Sequence, residues 1–142
     1  HVAQTPTLGL HQARIARSGE EVTLICYGPM VDTCLEAAKE ASQEGRKLEV
    51  IDVRSLSPLD MATVYESVRR TTRAIVVQEA PRTQGVGAEI AARLGEELYY
   101  VMEAPVLRVT GWSTPYPPAK AEGEHIPDVD RILDAVDRSL AF

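Results

Sequence analysis

The chain has 142 residues, which suits a single domain that buries roughly 70% of the surface exposed by its unfolded form. Its net charge of −6 and pI of about 5.1 argue against nucleic acid or an anionic membrane surface as the main partner, since both demand a basic face. No apolar run approaches the roughly 18 residues that a membrane span requires. A basic protein is the partner that this charge favours.

The start of the chain and its two cysteines indicate how the chain is organised and where it is found. Residues 1–9 begin with His1 and carry no periodic pattern, so we expect a remnant of an upstream linker followed by one domain over residues 10–142. Cys26 and Cys34 are too few for a disulfide framework or a four-ligand metal site. We expect two buried thiols in a reducing compartment, which is the cytoplasm of a bacterium or the mitochondrial matrix of a eukaryote.

Short apolar runs alternate with helical periods along the chain. Strands are predicted at residues 22–27, 48–53, 74–78, 98–102 and 105–109. Helices are predicted after Pro29 as far as Gly45, from Ser57-Pro58, from Gly85 to Gly95, and from Pro127-Asp128. This alternation predicts a three-layer α/β/α domain with an about five-stranded, mostly parallel sheet. The last two strands are too close for a crossover helix, so one of them should be antiparallel or at an edge.

A glycine pair opens the third predicted helix. Gly85 and Gly87 would present free N–H groups to an anion, but the dinucleotide pattern needs a third small residue where Ile90 stands. Tight backbone packing is the favoured interpretation of such a pair. Glu79 ends a central strand, where open α/β sheets bind ligands, although capping of the helix near Gly85 is favoured. An anion site at these residues stays a weaker alternative.

No constellation of residues indicates catalysis. The histidines, His1, His11 and His125, have no Cys, Asp or Glu at metal-ligand spacing within a predicted helix, and no Gly-x-Ser-x-Gly motif occurs. We expect His125 to be a solvated loop residue. No catalytic, cofactor-binding or metal-binding residue is predicted.

The stretch from Trp112 to Pro118 follows the last predicted strand and is rich in proline and aromatic residues. Proline limits the conformers of the loop, and Trp and Tyr supply contact area, so a preformed contact surface is predicted. The acidic residues toward the chain end fit a solvated face or a docking site for a basic partner. The candidate interface residues are Glu103, Arg108, Trp112, Pro115, Tyr116, Asp134, Asp137 and Phe142, with an ion pair expected between Arg108 and Glu103.

Several segments in this order resemble the C-terminal domain of the transketolase superfamily. They are residues 12–13, 19–23, 27–28, 49–60, 78–80, 85–91 and 104–109. More narrowly, the chain is similar to the β subunit of the thiamine diphosphate-dependent decarboxylase of 2-oxo acid dehydrogenase complexes. The resemblance implies that thiamine diphosphate, with a divalent metal, binds to other parts of the parent enzyme. It implies no cofactor in this chain, which alone is expected to be inactive.

The resemblance also implies partners. The domain would hold two β subunits together, within a heterotetramer that includes α subunits, and would dock the basic subunit-binding domain of the acyltransferase. Residues 114–117 look closer to branched-chain members than to pyruvate members, although Ser113 stands where the branched-chain pattern usually has Asp. Two alternatives stay open: a stand-alone anion-binding or regulatory domain, and a β subunit of a pyruvate or acetoin dehydrogenase.

Overall fold

A computed structural model of the chain describes residues 8–142, so nearly all of the predicted leading segment 1–9 lies outside the described residues. The strands are β1 (Arg14–Arg17), β2 (Val22–Cys26), β3 (Leu48–Asp52), β4 (Ala74–Pro81) and β5 (Leu107–Gly111). The helices are α1 (Met30–Gln43), α2 (Met61–Thr71), α3 (Val86–Leu98), α4 (Glu122–His125) and α5 (Val129–Leu140). A short 3₁₀ turn, Ala119–Ala121, precedes α4. No helix of the described part is long and apolar enough to cross a bilayer.

The strands form one sheet in the order β1-β3-β2-β4-β5. Every neighbouring pair is parallel except β1 with β3, which is antiparallel and lies at one edge. Helices α1 and α5 pack on one face of the sheet, and α2 and α3 pack on the other. The predicted three-layer α/β/α fold with an antiparallel edge strand is confirmed.

The central strands have continuous apolar sequence because helices cover both of their faces. In β2, Leu24 packs with the cluster under α1 and α5, whereas the next residue, Ile25, packs with the cluster under α2 and α3. Both side chains are fully buried. Successive strand residues point to opposite faces, so this one strand contributes to both halves of the core.

The strand predicted at residues 98–102 does not form. Helix α3 continues past Gly95 to Leu98, because Leu94 and Leu98 lie one turn apart and are both buried against the sheet. The next residues, Tyr99 and Tyr100, are 72% and 98% exposed and belong to a turn. The antiparallel strand is instead β1, whose arginines hide the apolar pattern, as is common in edge strands.

Helix α2 begins at Met61, three residues later than the predicted first helical residue, Pro58. Asp60 is the N-cap: its carboxylate accepts hydrogen bonds from the Thr63 N–H at 3.2 Å and the Thr63 hydroxyl at 2.6 Å. The same carboxylate accepts the N–H of Ala13 at 2.9 Å, just before β1. Hydrogen bonds to a charged acceptor are stronger than hydrogen bonds to a neutral one, and this carboxylate accepts several.

Candidate functional site

The aromatic loop after β5 is held in place by its own contacts. The indole N–H of Trp112 donates to the carbonyl of Glu124 at 3.0 Å, and the guanidinium carbon of Arg131 lies 4.5 Å from the ring centre. The hydroxyl of Tyr116 donates to the Glu122 carboxylate, a hydrogen bond that raises the pKa of Tyr116 to about 12. Trp112 stays 54% exposed and Tyr116 59% exposed, so the loop presents two fixed aromatic rings to solvent.

The base of this loop depends on close packing at Gly111, the last residue of β5. A Cβ atom there would lie 2.1 Å from the carbonyl oxygen of Glu79 and 2.9 Å from Nε2 of His125. His125 is only 4% exposed, and its ring packs edge-on against Tyr116 with centroids 5.1 Å apart. The expectation of a solvated His125 is therefore wrong, because α4 folds the loop back over the end of β5.

Glu103 lies at the opposite end of the sheet from the aromatic loop. Its N–H donates to the carbonyl of Thr72, just before β4, and its carboxylate pairs with Arg73 at 2.5 Å. The Nε of Arg73 also donates to the carbonyl of Ser139 in the last turn of α5. The ion pair expected between Glu103 and Arg108 does not form, since Arg73 is the arginine placed at this end.

Two aspartates of α5 also have arginine partners. Asp137 lies 2.6 Å from Nη1 of Arg46, a distance that makes an ion pair although the angles fall outside hydrogen-bond geometry. Asp134 lies 3.8 Å from Arg138, one turn further along the helix. The two aspartate side chains remain 65% and 70% exposed, and Phe142 is 71% exposed beyond the helix end.

The candidate interface residues therefore fall into separate regions. Helix α5 has Arg131 of its first turn beside Trp112 and ends beside Arg73, so it runs antiparallel to β4 and β5. Strand β5 has five residues and spans roughly 16 Å. The carboxyl end of β5 is next to Trp112, Pro115 and Tyr116. Its amino end is near Glu103, Asp137 and Phe142. Between the two ends, one groove is lined by Arg108 and Asp134.

The glycine pair at the start of α3 packs against Gln78, a fully buried residue of β4. A Cβ atom on Gly85 would lie 2.1 Å from Nε2 of Gln78, and one on Gly87 would lie 2.8 Å from its Oε1. The N–H of Gly87 already donates to that Oε1 at 2.7 Å. This geometry favours the packing interpretation of the pair, because a first-turn N–H is taken by a side chain of the protein.

Gln78 is the residue that sequence reasoning missed at this junction. Its Nε2 donates to the carbonyls of Ala80 and Pro81, so one side chain joins β4 to the start of α3. Glu79 makes no side-chain cap to that helix, contrary to the favoured expectation. Burial, and then the charge of Glu79, raise the pKa of Tyr27 at the end of β2. A glutamine ending an otherwise apolar strand was the available signal.

The described residues contain no group of three or more His, Cys, Asp or Glu side chains that could hold a metal ion. Both cysteines are free and fully buried, which confirms the prediction of buried thiols. The Cys26 thiol donates to the carbonyl of Ile51 at 3.3 Å. A hydrogen bond with Cys34 and burial raise the pKa of Cys26, which argues against a reactive thiol at this position.

The fold is a layered α/β domain, with exposed aromatic side chains at one end of its sheet and exposed acidic side chains at the other. The family model for the C-terminal domain of transketolase matches residues 11–132, which is most of the chain. The chain belongs to this family.

Two curated relatives are β subunits of different 2-oxo acid dehydrogenases. The pyruvate dehydrogenase E1 component subunit beta of Leifsonia xyli subsp. xyli is 54% identical over 135 residues, covering 95% of this chain and 40% of that protein. The 3-methyl-2-oxobutanoate dehydrogenase subunit beta of Mycobacterium tuberculosis is 49% identical over 136 residues, covering 95% of this chain and 38% of that protein. The chain thus spans about two fifths of the curated relatives it matches.

Two solved structures share the fold. A split-gene transketolase, described as an inactive β4 tetramer, has a TM-score of 0.81 and 28% identity, covering 94% of this chain and 43% of that one. A 2-oxoglutarate:ferredoxin oxidoreductase from Magnetococcus marinus has a TM-score of 0.57 over 90% of this chain and 19% of that one. Its 16% identity shows a common fold alone.

Proposed function

We propose that the chain is the C-terminal assembly and docking domain of the β subunit of a 2-oxo acid dehydrogenase from the bacterial cytoplasm. The observation that carries this proposal is identity of 54% and 49% to two such β subunits over 95% of the chain. The parent enzyme would decarboxylate a 2-oxo acid and transfer the acyl group to a lipoyl group. A full-length β subunit that carries this domain should show that activity when combined with its α subunit.

The proposal assigns no catalytic step to this chain. Thiamine diphosphate needs a divalent metal held by oxygen ligands, and the described residues offer no cluster suited to one. We therefore assign the cofactor to the rest of the parent enzyme. Calorimetric titration of thiamine diphosphate and Mg²⁺ into the chain should give no binding, and a micromolar dissociation constant would contradict this assignment.

The substrate is a finer proposal. We favour a branched-chain 2-oxo acid because of the pattern of residues 114–117. The alternatives are pyruvate, which appears in the name of the relative with 54% identity, and acetoin. The measurement that decides is kcat/KM of the reconstituted enzyme on 3-methyl-2-oxobutanoate, pyruvate and acetoin. A value at least about tenfold higher for pyruvate or acetoin would contradict the branched-chain assignment.

The aromatic loop is the proposed contact between two β subunits. Trp112 and Tyr116 are large, half-exposed and fixed by hydrogen bonds, which lowers the entropy lost on association. The β4 tetramer of the split-gene transketolase shows that one relative of this fold self-associates through its β chains. We expect sedimentation equilibrium to detect self-association of the chain and to show it weakened by Trp112→Ala combined with Tyr116→Ala.

A second exposed aromatic pair gives the matched control. Tyr99 and Tyr100 follow α3 and lie near the other end of the sheet from the loop. Replacing both with alanine removes comparable aromatic surface and should leave self-association unchanged. If the Tyr99 and Tyr100 variant becomes monomeric while the loop variant still associates, the assignment of the contact to the loop is wrong.

The acidic residues near the amino end of the sheet are the proposed docking site for the basic subunit-binding domain of the acyltransferase. Glu103 and Asp137 each pair with one arginine, yet their side chains stay 58% and 65% exposed. Carboxylates this exposed can still contact a second cation, and their contribution should fall as salt screens it. Phe142 adds an exposed aromatic ring beyond α5.

Charge reversal tests this docking site. Glu103→Lys or Asp137→Lys should weaken binding of the isolated subunit-binding domain, more strongly at low salt than at high salt, in calorimetric titrations. Glu66→Lys is the control, because Glu66 is 81% exposed on α2, in the opposite helix layer. Equal affinity for all three variants would leave these carboxylates as a solvated surface.

A further inference from the structure

Strand β5 and helix α5 border a groove of about 450 Å³ on one face of the sheet. Its lining includes four arginines, Arg82, Arg108, Arg131 and Arg138, against two aspartates, Asp130 and Asp134. The chain as a whole has a net charge of −6, so this groove concentrates positive charge within an acidic protein. Such a local excess attracts anions independently of the net charge.

Two of these arginines are held by the main chain and not by carboxylates. Nη1 of Arg108 donates to the carbonyl of Arg82 at 3.1 Å, and Nη1 of Arg82 donates to the carbonyl of Arg108 at 3.4 Å. No carboxylate of residues 8–142 forms a salt bridge with either guanidinium. Each guanidinium has five N–H donors, so most remain available to a ligand.

Arg131 supplies a third group. Its Nη2 donates to the carbonyl of Thr110 at 2.5 Å, and its guanidinium stacks on Trp112, so its position is fixed. Its Nη1 is buried and has no acceptor within the described residues. Buried donors in folded proteins nearly always have an acceptor, and a charged donor without one is especially costly. Arg131 lines the groove, so a ligand bound there would lie next to this guanidinium.

We propose that this groove binds a compact anion with at least two negative charges, such as a phosphorylated or polycarboxylic small molecule. The volume is in the range of small-molecule sites, and planar guanidinium groups match the oxygens of phosphate and carboxylate. Asp130 and Asp134 in the lining would repel an extended acidic chain, which favours a compact ligand. The site is separate from the glycine pair at the start of α3.

Trp112 is the sole tryptophan of the chain and lines the groove, so its fluorescence reports on binding. The 142-residue chain would be titrated with pyrophosphate and with citrate at constant ionic strength, and calorimetry would provide a second readout. We expect saturable binding of one or both anions. Arg82→Gln and Arg108→Gln should each weaken it at least about tenfold, since each removes charge-assisted hydrogen bonds.

Matched variants separate binding from folding. Arg69→Gln removes an exposed arginine of α2, paired with Glu97, and should leave the dissociation constant unchanged. Arg108→Lys keeps the charge but not the planar fork, and should bind with intermediate affinity while far-UV circular dichroism shows a native fold. Non-saturable titrations, equal weakening by Arg69→Gln, or binding of poly-glutamate without binding of either small anion would overturn the proposal.

Discussion

Gly111→Ala is the substitution that tests most directly how the aromatic loop is fixed. The new Cβ atom would lie 2.1 Å from a main-chain carbonyl oxygen of Glu79 and 2.9 Å from His125. Ordinary contacts of a Cβ atom are about 3.5 Å or longer, so β5 would have to move by more than 1 Å or α4 would have to lift. Overpacking of this kind costs about 1–3 kcal/mol, and rigid backbone as the neighbour favours the upper half of that range.

Urea unfolding followed by far-UV circular dichroism measures this cost, and Trp112 fluorescence reports whether the loop moves. We expect the free energy of unfolding to fall by about 2–3 kcal/mol. Gly95→Ala is the matched control, because Gly95 lies within α3 and a Cβ atom there meets nothing within 4 Å. The same chemical change should therefore stabilise the chain by about 0.5–1 kcal/mol through helix propensity.

The two substitutions are thus expected to have opposite signs. If Gly111→Ala leaves both the free energy of unfolding and the Trp112 spectrum unchanged, the close approach of β5, Glu79 and His125 is refuted. If it destabilises the chain without changing the Trp112 spectrum, the strain is absorbed in β5, and the loop does not depend on this contact.

Three further predictions concern single side chains. Gln78→Leu should lower the free energy of unfolding by about 3 kcal/mol in urea titrations, because it leaves the Gly87 N–H and two carbonyls without their partner. Asp60→Ala should cost about 1–2 kcal/mol at neutral pH. Burial opposes ionisation of Asp60, but its hydrogen bonds lower its pKa below 3.8, so this difference should vanish as the pH falls through that lowered pKa. Tyr116→Phe should remove a phenolate absorbance step near pH 12. Because the pKa of Tyr116 is raised, the stabilising effect of its hydroxyl should be complete below pH 10 and should be lost as the pH rises toward 12.

The layered fold could be predicted because its parallel strands are buried on both faces. Strands such as residues 74–78 appear as continuous apolar runs, and the helices between them carry their own period. Strand β1 could not be predicted in this way, because Arg14 and Arg17 lie at an exposed edge where burial imposes no pattern. The strand predicted at residues 98–102 was wrong for the opposite reason, because Tyr99 and Tyr100 are typical of strands but lie in an exposed turn.

The sequence suggested which residue types the candidate interface contains, but it could not predict which of those residues lie close together. The rigid loop at Trp112 follows from residue types alone, since proline and aromatic side chains act locally. The pairing of Glu103 with Arg73, and the burial of His125, depend on which chain segments meet at each end of the sheet. Sequence separations of 30 residues between Arg73 and Glu103 carry no local signal, so only the topology reveals such partners.

Strand β5 also limits how two copies of the domain can associate. It lies at an open edge of the sheet, where unpaired main-chain groups invite a strand from another molecule. The carbonyls of Arg108 and Thr110, two residues apart, instead accept hydrogen bonds from the side chains of Arg82 and Arg131. A partner strand would have to displace both guanidinium groups, one of them stacked on Trp112. Association through side chains of the adjoining loop avoids that displacement, which supports the proposal that two β subunits meet at the loop and not at the sheet edge.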